Sequence, residues 1–130
     1  VCIMDIDRFK AINDNHGHDT GDMVLKALAE TCRMALRTTD IFGRIGGEEF
    51  AMVLVETDEK AALATCERIR EQLSRTRVPT DSEEIGFTVS IGLTLCCSGG
   101  KPLREMLKQA DAAMYQAKKQ GRNQVALSTR

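Results

Sequence analysis

The sequence predicts an α+β fold, a mixed or antiparallel sheet with helices on one face. Three observations carry the prediction. Apolar runs of strand length alternate with segments of helical periodicity. Two strands follow each other directly across Gly46-Gly47, which breaks the strict strand-helix alternation of a doubly wound parallel sheet. Finally, 130 residues with 42% hydrophobic content suffice for one buried core, and no linker, repeat or low-complexity stretch divides them.

The elements follow in order. Residues Val1 to Ile6 form a continuous apolar run, the pattern of a strand buried on both faces, and it ends in Asp5-Ile6-Asp7. A polar turn is expected through Asn13 to Gly17. Met23, Leu25, Leu28, Ala29, Cys32, Ala35 and Leu36 then recur at near-helical spacing, predicting a helix from Thr20 to Arg37. A hairpin pairs Asp40–Ile45 with Phe50–Val55, and Gly46-Gly47 falls where a two-residue turn requires positive φ. Glu48 and Glu49 open its second leg, pointing to opposite faces. A second helix covers Asp58 to Ser74, with Thr57 or Asp58 as its N-cap. Alternation from Phe87 to Leu95 marks a half-buried strand that Ser98-Gly99-Gly100 ends. A third helix runs from Leu103 to Lys119 and stops at Gly121. A short strand, Gln124 to Leu127, completes the set.

Composition narrows the function. A formal net charge of −1 offers no footprint for a nucleic-acid backbone, and 4% aromatic content leaves few stacking platforms. Any nucleotide partner is therefore small. No apolar stretch reaches membrane-spanning length and no signal-peptide pattern is present, so no membrane contact is expected of this segment. The five cysteines, Cys2, Cys32, Cys66, Cys96 and Cys97, are odd in number, lack C-x-x-C spacing and sit among apolar residues. They read as buried thiols of a reducing cytoplasm rather than as disulfides or zinc ligands. Because Val1-Cys2-Ile3-Met4 already reads as a strand, the segment is expected to be cut from a longer protein.

The acidic strand ends carry the chemistry. If the first strand and the hairpin are sheet neighbours, Asp5 and one of Glu48 and Glu49 converge beside the Ile6 carbonyl. Carboxylate and carbonyl oxygens with open water positions suit a hard cation such as Mg²⁺ that also holds phosphates. The plainer reading is a pair of unrelated acidic strand ends and a solvated hairpin tip. Phe9-Lys10 and the following turn would offer backbone N–H groups and an ammonium to a phosphate. Lys118 and Arg122 bracket the end of the third helix, where cations also simply complement the dipole. Asn13 and Asp22 could read a purine edge, although each also suits a turn or a helix start. A carboxylate at Asp22 favours guanine, whose N1–H and N2 amine are both donors, over adenine, whose N1 is an acceptor. His16-Gly17-His18 is loop chemistry rather than a metal site.

Taken together, Asp5-Ile6-Asp7-Arg8-Phe9-Lys10, Asn13-Asp14, His16-Gly17-His18, Gly21-Asp22, the run Arg44 to Phe50, Val89-Ser90-Ile91-Gly92, Ala110-Asp111, Met114-Tyr115, Ala117-Lys118 and Gly121-Arg122-Asn123 resemble the GGDEF domain of diguanylate cyclases. The match covers the whole chain in order, with a Gly-Gly-Glu-Glu-Phe spelling of the signature. The resemblance implies a palm-like, nucleotidyl cyclase-type fold that condenses two GTP into cyclic di-GMP with release of pyrophosphate, one GTP per domain and hence a homodimer. It implies Mg²⁺ (or Mn²⁺) on Asp5, the Ile6 carbonyl and Glu48, with Glu49 assisting, and Glu48 as base for the ribose 3′-OH. It assigns substrate contacts to Phe9, Lys10, Asn13, His18, Asp22, Gly46, Gly47, Lys118 and Arg122. Arg37-Thr38-Thr39-Asp40 resembles the R-x-x-D inhibitory product site, with Arg68 as a second arginine. The family carries a further helix and a segment resembling D-x-L-T-G-L-x-N-R-R before its first strand, and both are absent from this sequence. A non-catalytic module sensing GTP or cyclic di-GMP is the alternative, and a cyclase of altered base choice is disfavoured by Asp22.

Overall fold

The structure, a computed structural model, describes residues 1–96 and 100–128. Its elements are β1 (Cys2–Ile6), α1 (Phe9–His16), α2 (His18–Ala35), β2 (Ile41–Gly46), β3 (Glu49–Val53), α3 (Glu59–Arg75), β4 (Arg77–Pro79), β5 (Glu84–Gly86), β6 (Val89–Leu93), α4 (Leu103–Lys119) and β7 (Val125–Leu127). The main sheet runs β2-β3-β1-β6-β7, with β7 parallel to β6 and every other pair antiparallel. It is the expected mixed α+β arrangement. β4 and β5 make a separate two-stranded hairpin.

The helices cover both faces, not one. Successive side chains of a strand alternate between faces, and β1 shows the consequence. Cys2, Met4 and Ile6 join the large core, which holds Val24 and Leu28 of α2 and Cys66 and Ile69 of α3. Ile3 instead packs with Ala110 and Met114 of α4 on the opposite face. This strand is buried on both sides, so its alternation could not reveal two helical layers. Gly92, paired with Ile3, is where α4 touches the sheet. A β-carbon there would overlap the Ala110 carbonyl oxygen and the Met114 amide nitrogen and stand 2.9 Å from the Met114 Cα.

Four further expectations change. The polar turn through Asn13 to Gly17 is mostly helix: α1 has no fully buried residue, and its apolar face, Phe9 and Ile12 packed half-buried against the core, is too short to announce it. The hairpin turn is Gly47-Glu48 rather than Gly46-Gly47, because Gly46 pairs with Glu49. A register slip between Arg44 and Gly46 makes Ile45 a bulge and moves the turn on by one residue. Glu48 is thus a turn residue, not the first residue of a strand. The strand expected from Phe87 to Leu95 is shorter, and Cys96 is exposed although Cys2, Cys32 and Cys66 are buried. Cys97 and most of the expected strand end at Ser98-Gly99-Gly100 lie outside the described residues.

Elsewhere the expected elements are present with shifted ends: the helix expected over Thr20–Arg37 is His18–Ala35, and the strand expected to reach Val55 ends at Val53. Asp58 caps α3, its carboxylate accepting from the Ala61 amide at 2.8 Å. α4 spans Leu103 to Lys119, and its C-terminus closes in the two-bond glycine cap, with the Arg122 amide donating to the Ala117 carbonyl at 3.0 Å. Among the described residues no helix is long and apolar enough to cross a membrane.

Candidate active site

The antiparallel register of β1 and β3 seats Glu49 directly across from Asp5. The Ile6 amide donates to the Glu48 carbonyl at 3.3 Å, so the hairpin turn is tied to the end of β1. Asp5 therefore meets both glutamates. Its face is the α4 face, since Asp5 lies two residues beyond Ile3. There Lys118 reaches back from the end of α4 and places Nζ 3.1 Å from Asp5 Oδ1 and 3.4 Å from Asp7 Oδ1.

Charge is crowded at this edge. Burial pushes the Asp5 carboxyl above its ordinary value, and Glu48 adds to that, although the bond to Lys118 works against the rise. Glu49 is also raised, chiefly by burial and then by the negative charges of Asp111 and Asp5. Carboxyls that hold protons this way are short of positive charge.

The donor set fits one kind of cation. Carboxylate and backbone oxygens are present, whereas among the described residues no thiol or imidazole joins them, which suits a hard divalent ion. Among the described residues no set of three or more His, Cys, Asp or Glu side chains is disposed to hold a metal. A cation here would rest on few carboxylates, with backbone and phosphate oxygens filling the shell, the mode Mg²⁺ favours.

Next to the carboxylates, α1 starts without a side-chain cap and with no acidic residue in its first turn. Arg8, in the left-handed region at φ 55°, swings the chain from β1 into the helix. The open amides at this start are a ready anion site. The phosphate cradle expected of a turn is thus offered by a helix end. Asn13 sits farther along α1, against Gly21 of α2: a β-carbon on Gly21 would overlap Asn13 Oδ1 and stand 3.3 Å from the Phe9 ring. The Asn13 Oδ1 is buried without a hydrogen-bond partner, so it is held ready for a donor from elsewhere. Asp22, the next residue of α2, is exposed.

The fold therefore gathers Asp5, Ile6, Glu48, Glu49 and Lys118 into one cluster, and Phe9 and Asn13 with Gly21 into another. Gly46 and Gly47 lie exposed at the hairpin tip, Gly47 with φ 27°. Lys10, His18 and Arg122 are exposed and make no ion pair with the carboxylates among the described residues. Sequence reasoning overlooked Asp111, which faces Glu49, and the extent of the Asp7 bonding. Both stand inside the quoted motifs, Asp5-Ile6-Asp7 and Ala110-Asp111, but their contacts are with residues far along the chain, which motif spacing does not reveal.

A second cluster lies apart, at the start of β2 and α3. Arg37 grips Asp40 through Nη2 to Oδ1 at 3.0 Å and Nε to Oδ2 at 3.3 Å, and also donates to the Val55 carbonyl and Thr57 Oγ1. The Asp40 side chain is 3% exposed and that of Arg37 57%. Burial works to raise the Asp40 carboxyl, but the Arg37 bonds prevail and hold it below its ordinary value. Arg68 lines the same cavity of about 300 Å³.

The family model for "Diguanylate cyclase, GGDEF domain" matches residues 1–124. The chain belongs to the GGDEF domain family of diguanylate cyclases. It is 38% identical over 128 residues to diguanylate cyclase A of Treponema denticola, covering 98% of this chain and 34% of that protein. It is 39% identical to diguanylate cyclase DosC of Escherichia coli, covering 98% and 28%. The chain thus spans about a third or less of these curated relatives. The active GGEEF domain of a diguanylate cyclase from Vibrio cholerae superposes with a TM-score of 0.89 at 34% identity, over 99% of this chain and 82% of that one. The GGDEF domain of DgcB from Caulobacter crescentus, in complex with c-di-GMP, gives 0.91 at 34% identity, over 97% and 75%. The fold read from the GGDEF family is the fold observed.

Proposed function

We propose that this GGDEF domain condenses two GTP molecules into cyclic di-GMP as a homodimer, one GTP per domain. The observation that carries the proposal is the β1–β3 register, which brings Asp5, Glu48 and Glu49 together beside the uncapped start of α1. Asp5, the Ile6 carbonyl and Glu48 hold Mg²⁺ or Mn²⁺, with Glu49 assisting. When bound, that ion polarises the phosphates and offsets the charge of the attacking and leaving oxygens.

This chain's residues do the rest. The Phe9 and Lys10 amides at the start of α1, with the Lys10, Lys118 and Arg122 cations, hold the triphosphate, while Gly46 and Gly47 let it approach the backbone. Asn13 and Asp22 read guanine, and His18, the first residue of α2, makes a further contact with the nucleotide. Glu48 takes the proton of a ribose 3′-OH. That oxygen bonds to the α-phosphorus of the partner's GTP, and the bond to the pyrophosphate oxygen breaks. A second, symmetric attack closes the ring and releases the second pyrophosphate. Product binds at Arg37, Asp40 and Arg68 and inhibits, because guanidinium groups pair with phosphate and guanine edges alike.

The test is turnover of GTP with Mg²⁺ by the full-length protein. Cyclic di-GMP is expected, and Glu48→Gln is expected to abolish it; turnover surviving that change sinks the role of Glu48. The preassembled Arg37–Asp40 cluster favours a second reading, a sensor that binds cyclic di-GMP without catalysis. Product binding by a dimer that never consumes GTP establishes that one instead.

A further inference from the structure

Asp7 is not among the residues given a role above, yet it is the most heavily bonded carboxylate near the site. Its side chain is nearly buried, 3% exposed. Four donors converge on it. Thr88 Oγ1 donates at 2.6 Å and Ser90 Oγ at 2.7 Å, both from the β6 end, while the Asn123 amide donates at 3.0 Å and Lys118 Nζ at 3.4 Å from the end of α4. Two of the four donors come from the segment that bears Lys118 and Arg122.

That segment is strained. Gly121, Arg122 and Asn123 have φ of 123°, 65° and 49°, three consecutive residues in the left-handed region. Non-glycine residues persist there only when their surroundings over-determine them. The surroundings are the Asn123 amide bond to Asp7 Oδ2, the Arg122 amide bond to the Ala117 carbonyl, and the Arg70 bond to Asn123 Oδ1 at 2.8 Å. Of these, the Asp7 bond alone ties the turn to β1, the strand that carries Asp5.

Resting on the nucleotide reading above, we propose that Asp7 is the positioning residue of the triphosphate site. It touches neither nucleotide nor metal. Its one carboxylate shares the Lys118 ammonium with Asp5 through Oδ1, as the longer of the two contacts, and holds the Arg122 turn through Oδ2, so both cations meet the phosphates already oriented. Thr88 and Ser90 hold that carboxylate rigid from the opposite side. A lysine with four rotatable bonds otherwise loses its rotamer freedom on binding.

Titration of the full-length protein with Mg²⁺ and a non-cyclisable 3′-deoxy-GTP tests this, read as Kd beside the melting temperature. Asp7→Asn keeps the shape and acceptor of the side chain but removes its charge. Asp7→Asn and Lys118→Met are each expected to weaken binding about tenfold, the scale of a lost charge-assisted bond. The double variant is expected to fall short of the product of the two single effects, binding worse than Lys118→Met alone only by the share that runs through the Arg122 turn. Effects that multiply in the double variant, or an unchanged Kd with a lowered melting temperature, overturn the positioning role and leave Asp7 a structural group. Should Asp7→Asn fail to fold, the unaltered protein decides: its Asn123 amide resonance is expected to move with the titration, and a stationary resonance overturns the proposal. Absence of any binding by the unaltered protein overturns the nucleotide reading and this inference with it.

Discussion

Gly92→Ala tests the contact that holds the carboxylate edge of the sheet together. Gly92 lies on β6 across from Ile3, and α4 packs directly on it. The added methyl meets the Ala110 carbonyl oxygen, the Met114 amide nitrogen and, at 2.9 Å, the Met114 Cα. All three are backbone of one helix, so no rotamer change relieves them and α4 must back away as a body. Overpacking of this kind costs about 1–3 kcal/mol, and a backbone clash belongs at the upper end. Replacing a strand glycine recovers roughly 0.5–1 kcal/mol. A net loss of about 2 kcal/mol remains, which for a domain of this size lowers the melting temperature by roughly 8 °C. Thermal unfolding followed by circular dichroism reads it. Gly43→Ala is the control, because a β-carbon there meets nothing within 4 Å and the change is expected to be neutral or slightly stabilising. A Gly92→Ala protein melting within about 1 °C of the unaltered one refutes the packing argument. The retreat of α4 also draws Lys118 from Asp5, so nucleotide affinity is expected to fall with stability.

Gly21→Ala displaces Asn13 from its seat against α2, and loss of one neutral hydrogen bond to the base is expected to weaken GTP binding roughly three- to tenfold. Calorimetry with GTP and ITP checks it, and equal losses for both nucleotides are expected on the proposed reading, in which Asp22 rather than Asn13 takes the N2 amine. Arg37→Ala removes the partner of a nearly buried Asp40 and is expected to weaken cyclic di-GMP binding at least tenfold by calorimetry; an unchanged affinity removes the inhibitory assignment. The metal-free protein is expected to lose stability as pH rises from about 4.5 through the mildly acidic range. Asp5 and Glu49, raised in the folded state, keep protons there that the unfolded chain has released, while Asp40, lowered in the folded state, adds no opposing slope because its stabilising contribution is lost only as pH falls below that range. Glu49→Gln is expected to flatten that fall, and calorimetric melts across the range that show stability rising instead contradict the charge crowding.

Much of the fold was legible because its elements bury continuous or periodic apolar residues. α4 was read to its ends, since Met106, Ala110, Ala113, Met114 and Ala117 are all buried. α1 was not, because Asn13, Asp14 and Asn15 favour turns over helix interiors and no residue of α1 is fully buried. The β4–β5 hairpin escaped for a similar reason: three-residue strands, one of them ending in Pro79, leave no period to detect. The position of the hairpin turn depended on a bulge at Ile45, which is a matter of register rather than of composition.

The chain's sequence by itself determined the family, the α+β class and the residue types of the site, because carboxylates, glycines and cations at motif spacing are chemistry that composition records directly. Only the tertiary structure decided which glutamate pairs with Asp5, that helices cover both faces of the sheet, and that Asp7 and Asp111 stand beside the site. Those are contacts between residues far apart along the chain, such as Asp7 with Asn123 and Lys118 with Asp5. They arise when β1 is inserted between β3 and β6 and α4 is laid across it, and no local periodicity encodes that insertion.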